Sequence, residues 1–157
     1  MMGRIYLAGP ITGASYNDAR YGWRNDLAVR LKRGLNFSVQ LLSPMRGTDD
    51  HAGAKSLPTP KPTEKNPVLT PKGTICRDIA DIKKADLVVV CLVEAERTSI
   101  GTMMEMGIAK ALGIPILLID NGNPYHDHAW VREFADYHVN SLMAAVNVIR
   151  DHLSEGL

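Results

Sequence analysis

The chain has no excess of charge of either sign. Its 157 residues hold 18 lysines and arginines against 17 aspartates and glutamates, a formal net charge of +1. That balance gives no electrostatic case for a nucleic-acid or membrane-surface partner. Cysteine is scarce: Cys76 and Cys91 are the only two, with neither C-x-x-C nor zinc spacing. This excludes a disulfide framework and suits a reducing compartment. No apolar run approaches the ~20 residues of a membrane span. Met1-Met2-Gly3-Arg4 leads into a strand with no secretory apolar region, so a cytoplasmic protein is expected. Neither G-x-G-x-x-G nor G-x-x-x-x-G-K-[ST] occurs, which leaves dinucleotide and P-loop readings without a motif. The one acidic and histidine cluster, Asp49-Asp50-His51, lies in a loop that does not preorganise a cation. Neither metal nor cofactor is expected.

What is there is an alternation of strand and helix signals in a chain the length of one domain, 1–157, which buries roughly 70% of its unfolded surface. Leu87-Val-Val-Val-Cys-Leu-Val93 is short, β-branched and uninterrupted, the mark of a strand buried on both faces. After Gly101 the pattern predicts a helix capped by Thr102, with Met104, Ile108 and Leu112 inward, ended by Gly113 and Pro115. Ile116 to Ile119 is the next strand. Ile5 to Ala8 reads as the first strand and Ser38 to Leu42 as the second. Helices are predicted over Asn17–Arg33 (Trp23, Leu27 and Leu31 inward), Thr74–Ala85 (Ile75, Ile79 and Ile82 inward), Val131–Ala135 and Ser141–Leu153, with an edge strand at His138-Val139. The fold class is therefore α/β: a single open parallel five-stranded sheet flanked by helices, Rossmann-like or flavodoxin-like. Between Met45 and Gly73 there is no periodicity, and Pro58, Pro60, Pro62, Pro67 and Pro71 interrupt the chain. A long inserted flexible loop that covers the site is expected there.

Ligands in such sheets sit at the carboxyl ends of the strands, where the segment Ser99 to Glu105 falls. Glu105 has two readings: the acid of a capping box, Thr102-x-x-Glu105, or a carboxylate aimed into the cleft. Tyr6 reads as a core aromatic, and Asp78 as part of a solvated helix face. Arg46, beside the end of the second strand, is a substrate-binding candidate, against a plain surface arginine. The glycines of Gly9-Pro10-Ile11-Thr12-Gly13 permit close backbone approach to a ligand.

Three segments in order carry a family resemblance: Ile5-Tyr-Leu-Ala-Gly-Pro-Ile-Thr-Gly13, Cys76-Arg-Asp-Ile-Ala-Asp-Ile-Lys-Lys-Ala-Asp86 and Ser99-Ile-Gly-Thr-Met-Met-Glu-Met-Gly107. Together they resemble the nucleoside 2-deoxyribosyltransferase family, which includes deoxynucleoside 5′-monophosphate N-glycosidases. The resemblance implies that Glu105 is the nucleophile, that Tyr6 orients it, and that Asp78 is the acid near the nucleobase. It implies a substrate-binding set of Gly9, Pro10, Ile11 and Gly13, with Arg46, Ser99, Gly101 and Met104. It further implies a homo-oligomer, a dimer or larger, in which His128 and Trp130 of a neighbouring subunit complete the site. The partners it implies are a small nucleoside or nucleotide and a nucleobase. One departure stands out: transferases acting on free nucleosides carry an Asp six residues before the nucleophile, and here that residue is Ser99. The expected activity is transfer of a deoxyribosyl group between bases. The alternatives are hydrolysis of nucleoside 5′-monophosphates, or a nucleotide-binding sensor without turnover.

Overall fold

The computed structural model describes residues 2–58 and 66–155. Five strands, β1 (Gly3–Ala8), β2 (Val39–Leu42), β3 (Leu87–Cys91), β4 (Ile116–Ile119) and β5 (Tyr137–Val139), form one sheet in the order β2-β1-β3-β4-β5. Every neighbouring pair is parallel, as the alternation of elements requires. Among the described residues α1 (Tyr16–Tyr21), α2 (Trp23–Gly34), α3 (Pro71–Ile82), α4 (Ile100–Ala111) and α5 (Ala129–Phe134) connect them, and α6 (Leu142–Glu155) follows β5.

The pleat divides the core in two. Ile5, Leu7, Leu87 and Val89 pack against Leu27 and Leu31 of α2 and Ala145 and Ile149 of α6. Tyr6, Ala8, Val88 and Val90 face the other way, against Ile82 of α3 and Met106 and Ala109 of α4. The chain therefore leaves β1 toward one face and β3 toward the other. Between their carboxyl ends the two connections diverge, and this switch point opens the crevice in which such sheets hold ligands.

Three predicted elements differ in informative ways. The helix expected over Asn17–Arg33 is two helices with an elbow at Gly22, whose N–H donates to the carbonyls of Asn17 and Asp18, both at 3.1 Å. A β-carbon there would lie 2.4 Å from the Asp18 carbonyl oxygen, so the elbow needs glycine. Helix α3 begins at Pro71, with Thr70 as N-cap accepting from the Gly73 N–H at 2.9 Å. Its buried stripe is Asp78, Asp81 and Ile82, while Ile75 is 58% exposed. Helix α4 is capped by Ser99, so Gly101 and Thr102 lie inside it. Thr102, Met106 and Ala109 are its buried residues, and Met104 and Leu112 of the expected inward stripe are exposed. Gly113, at φ +69°, follows the helix as expected.

Of the proline-rich segment, Pro60 and Pro62 lie outside the described residues. Its described flanks are packed. Met45, Leu57 and Leu69 are buried, and Met45 and Leu57 join Tyr16 and Ala19 in a small third cluster. Residues 13–16 and 54–57 exchange backbone bonds: Gly13 N–H to Leu57 O at 3.0 Å, Leu57 N–H to Ala14 O at 2.7 Å and Tyr16 N–H to Ala54 O at 2.9 Å. Asp49 accepts from the Tyr16 hydroxyl at 3.0 Å and lies 3.6 Å from Arg20.

Candidate functional site

Glu105 stands on the inward stripe of α4. Residues 102, 105, 106 and 109 repeat at the i, i+3, i+4, i+7 spacing of one helix face, and the other three members are the buried ones. Its carboxylate is thereby carried to the sheet, where Oε1 accepts from the Tyr6 hydroxyl at 2.7 Å. Glu105 makes no capping box, because the cap lies three residues earlier than the motif requires. Tyr6 is fully buried in the middle strand pair, so its ring is fixed by packing and only the hydroxyl is committed to polar contact.

Burial pushes the Glu105 carboxyl up to about 7; the Tyr6 hydrogen bond opposes this, the nearby Asp78 charge adds to it, and Arg24 opposes it. The Tyr6 hydroxyl is held far above its ordinary range, first by burial and then by the Glu105 charge. It remains a donor at any working pH.

Asp78 reaches the same region from α3. The stripe 78, 81, 82, 85 is an equally good helical repeat as 75, 79, 82, and it is the one that packs: Asp78, Asp81, Ile82 and Ala85 are all buried. Arg77 grips Asp78 Oδ1 with Nε and Nη2, both at 3.0 Å, and reaches across to the carbonyls of Pro44 at 2.6 Å and Arg46 at 2.9 Å. The turn after β2 is thus bolted to α3. Burial raises the Asp78 carboxyl, while Arg77 and then Arg46 pull it down. Arg46 is ion-paired with Asp81, and its side chain is 41% exposed.

The Gly9–Gly13 loop closes the crevice from the β1 side. A β-carbon on Gly9 would meet the Cys91 carbonyl oxygen and the Trp23 ring, both at 3.0 Å. Gly13, at φ +83°, lies against Arg97, which donates from Nη2 to the Thr12 carbonyl at 2.6 Å. On the β3 side, the Ser99 hydroxyl exchanges a 2.9 Å hydrogen bond with Thr102 Oγ1, and the Ser99 N–H donates to His126 Nε2 at 3.1 Å. His126 is buried, and burial lowers its pKa, so it stays neutral and able to accept. Pro10 and Ile11 are half-buried in the loop, Ile11 packing on the third cluster.

Tyr6, Glu105 and Asp78 are therefore brought together, with the Gly9 and Ser99 loops at either end. Other expected residues stand apart. His128 is the N-cap of α5, its Nδ1 accepting from the Trp130 N–H at 3.2 Å, and Trp130, 65% exposed, leans on Phe134. No hydrogen bond or ion pair among the described residues joins His128, Trp130, Gly101 or Met104 to the Tyr6–Glu105 pair. Arg24 and Arg97 belong to no motif in the sequence, Arg77 reads there as part of a polar helix face, and His126 as part of the polar stretch before Trp130. Arg24 alone left a signal: with Leu27 and Leu31 it makes an i, i+3, i+7 stripe, and all three are buried.

A parallel sheet with Tyr6, Glu105 and Asp78 at its switch point defines an α/β protein with carboxylates in its ligand crevice. The chain belongs to the nucleoside 2-deoxyribosyltransferase family, whose model matches residues 5–149. Among curated proteins no sequence matches. Solved structures that it resembles include a 2-deoxyribosyltransferase from Bacillus psychrosaccharolyticus, with 16% identity, 92% of this chain and 91% of that one covered, and a TM-score of 0.62. A CMP N-glycosidase from Clostridium botulinum matches at 18% identity, 93% and 97% coverage and a TM-score of 0.55. A molybdenum cofactor binding protein from Rippkaea orientalis matches at 16% identity, 98% of each chain and a TM-score of 0.60. At these identities the likeness is one of fold. No helix among the described residues is long and apolar enough to cross a membrane.

Proposed function

We propose that the chain is a cytoplasmic enzyme that cleaves the N-glycosidic bond of 2′-deoxynucleosides and transfers the deoxyribosyl group to another nucleobase. The observation that carries this reading is the Tyr6–Glu105 hydrogen bond, which fixes a carboxylate oxygen at the switch point of the sheet. Glu105 attacks C1′ through its free oxygen. The C1′–N bond breaks, its electron pair stays with the base nitrogen, and Asp78 supplies a proton to the departing base. The sugar is then held as an ester of Glu105. A second base attacks C1′, the ester bond breaks, and the proton lost by the incoming base returns to Asp78. Both steps pass through oxocarbenium-like states, which a nearby carboxylate stabilises. The raised Asp78 carboxyl supports its part as acid. Glu105 turned inward also weighs against a sensor without turnover.

A second reading, hydrolysis of 5′-monophosphates with water as acceptor, is favoured by two features of the 5′ end of the cradle. Ser99 is uncharged, and Arg97 places a guanidinium over Gly13. Incubating dCMP or deoxyinosine with and without acceptor adenine, and analysing the products, distinguishes the two. A new deoxynucleoside or deoxynucleotide supports transfer; free base with deoxyribose 5-phosphate supports hydrolysis; no cleavage of either substrate overturns both. The same reading includes a homo-oligomer with shared sites. The apolar residues Ile100, Met104 and Leu112 along the outer face of α4, and Trp130 on α5, are exposed and suit burial against a second copy.

A further inference from the structure

Arg77 stands beside the buried stripe of α3, and its side chain is nonetheless only 23% exposed. Its guanidinium meets three groups. Nε and Nη2 both donate to Asp78 Oδ1 at 3.0 Å, Nη2 donates also to the Pro44 carbonyl at 2.6 Å, and Nη1 donates to the Arg46 carbonyl at 2.9 Å. Asp78 Oδ2 is neither bonded to a described residue nor sealed from solvent. The turn that supplies the two carbonyls is itself anchored. Met45 is buried, and its carbonyl accepts from Arg20 Nη1 at 2.9 Å and from Thr48 Oγ1 at 2.6 Å. Arg46 is ion-paired with Asp81, one turn beyond Asp78.

Successive residues of a helix do not face each other. Arg77 and Asp78 meet because the carbonyls of the turn after β2 draw the guanidinium across the face of α3. Tying a helix to a turn takes one donor for each carbonyl. The fork adds two donors on one carboxylate oxygen, which such a tie does not require, and these fix the direction of the carboxyl. The result repeats what Tyr6 does for Glu105: one oxygen is held and the other is open. Ile82, one turn further along α3, packs in the same cluster as Tyr6 and Met106, so α3 carries Asp78 on the side of the sheet where Glu105 lies.

We propose that Arg77 is a positioning residue for Asp78, holding Oδ1 against the turn after β2 and so presenting Oδ2 to the nucleobase. In the step it serves, the electron pair of the C1′–N bond passes to the base, and the proton on Oδ2 goes to a base nitrogen. This rests on the reading of Asp78 as the acid, and goes beyond it in assigning the aim of that acid to the residue before it. A reacting group misplaced by about 1 Å costs about a hundredfold in rate, so the fork has a kinetic signature distinct from any effect on stability.

The test compares two substrates in Arg77→Lys and Asp78→Asn of the full-length chain, with folding checked by circular dichroism. The base of deoxyinosine needs a proton as it leaves, whereas that of 7-methyl-2′-deoxyguanosine already carries a positive charge and does not. Arg77→Lys keeps a charge without the fork. Its kcat for deoxyinosine should fall about tenfold to a hundredfold, with KM changed by less than about threefold. Its kcat for the methylated substrate should stay within about threefold of the wild type. The loss on deoxyinosine should also disappear when Arg77→Lys is added to Asp78→Asn. Equal losses on both substrates, or a loss that persists beside Asp78→Asn, overturn the proposal in favour of a structural role. Should Arg77→Lys fail to fold, Arg77→Gln, which keeps a planar donor, is read by the same comparison. Asp78→Asn alone judges the reading beneath. Equal losses on both substrates there sink Asp78 as the acid, and the proposal with it. A loss confined to deoxyinosine in Asp78→Asn but absent from Arg77→Lys sinks the positioning role only. A wild type that cleaves neither substrate overturns both.

Discussion

The Tyr6 hydroxyl and Glu105 Oε1 meet at 2.7 Å across 99 residues of sequence. One is rooted in β1, an interior strand of the sheet, and the other in the first turns of α4, the helix that follows β3 across the switch point. One carboxylate oxygen is occupied and the other is free, which is the arrangement a directional nucleophile needs.

Tyr6→Phe keeps the ring in its packing and removes only this bond. A hydrogen bond to a charged group is worth ~1.5–3 kcal/mol. A loss of kcat of about tenfold to a hundredfold is therefore expected. The bond also favours the ionised form, so the acid limb of the kcat/KM profile, near pH 7 in the wild type, should move upward in the variant. Steady-state kinetics between pH 5 and pH 9 check both effects. An unmoved limb would mean that Tyr6 acts through packing alone.

Glu105→Ala should abolish nearly all turnover with the fold retained, as circular dichroism would show. Glu105→Gln has a further signature in stability. The folded carboxyl titrates at about 7 against 4.5 for the ordinary group, so the folded state holds the proton more tightly. Its contribution to stability is complete below pH 4.5 and is lost as the pH rises through 7. Removing the charge should stabilise the protein at pH 8, by on the order of 1–3 kcal/mol, and change little at pH 4.5. Thermal melts at both pH values decide it. Equal melting temperatures at pH 8 would show that the carboxylate is not strained by its site.

Ser99→Asp places a carboxylate at the cap of α4. A monophosphate carries about −1.5 to −2 charges, and two unit charges ~4 Å apart at an effective dielectric of ~20 repel by about 4 kcal/mol before screening. The variant should lower kcat/KM for a monophosphate about tenfold to a thousandfold and harm a free nucleoside far less. Arg97→Ala should show the same selectivity, because it removes the guanidinium lying against Gly13. Losses shared equally by both substrates would reduce Ser99 to a partner of Thr102.

His126 ties the Ser99 N–H from a buried position, and burial lowers its pKa below the ordinary 6.5. A histidine whose folded pKa is depressed contributes stability above 6.5 that is lost as the pH falls. His126→Gln keeps an acceptor that does not titrate. Its melting temperature should fall less steeply than that of the wild type between pH 7 and pH 5. Parallel curves would place acid sensitivity elsewhere.

Much of this was legible beforehand. Runs such as Leu87–Cys91 and Ile116–Ile119 announce a parallel sheet because strands buried on both faces have no polar alternation to hide them. Glu105 and Tyr6 stood out through family resemblance, and the structure brings them into contact. The inward faces of α3 and α4 escape hydrophobic periodicity for a common reason. A reader of hydrophobic periodicity follows Ile75-Ile79-Ile82 and Met104-Ile108-Leu112, whereas the inward stripes carry Asp78 and Asp81, or Thr102 and Glu105. Functional carboxylates take up places on the buried face, so Ile75, Met104 and Leu112 are left exposed while Ile82 stays in the core. Arg24 was hidden similarly, as one more basic residue in a helix rich in them. The split at Gly22 depends on a close approach to the Asp18 carbonyl, which no local pattern encodes.

The interior position of β1, between β2 and β3, has a consequence for biosynthesis. Its nearer neighbour in sequence, β2, flanks one edge, but the other edge waits for β3, with Ile5 pairing to Leu87. On a ribosome emitting roughly 5–20 residues per second, the strand bearing Tyr6 is out for several seconds before its second partner appears, and longer before α4 covers the aromatic ring. During that interval an apolar strand edge is open to other nascent chains. The geometry that sets a tyrosine against a carboxylate 99 residues away thus makes the Tyr6–Glu105 contact one of the last parts of the fold to assemble.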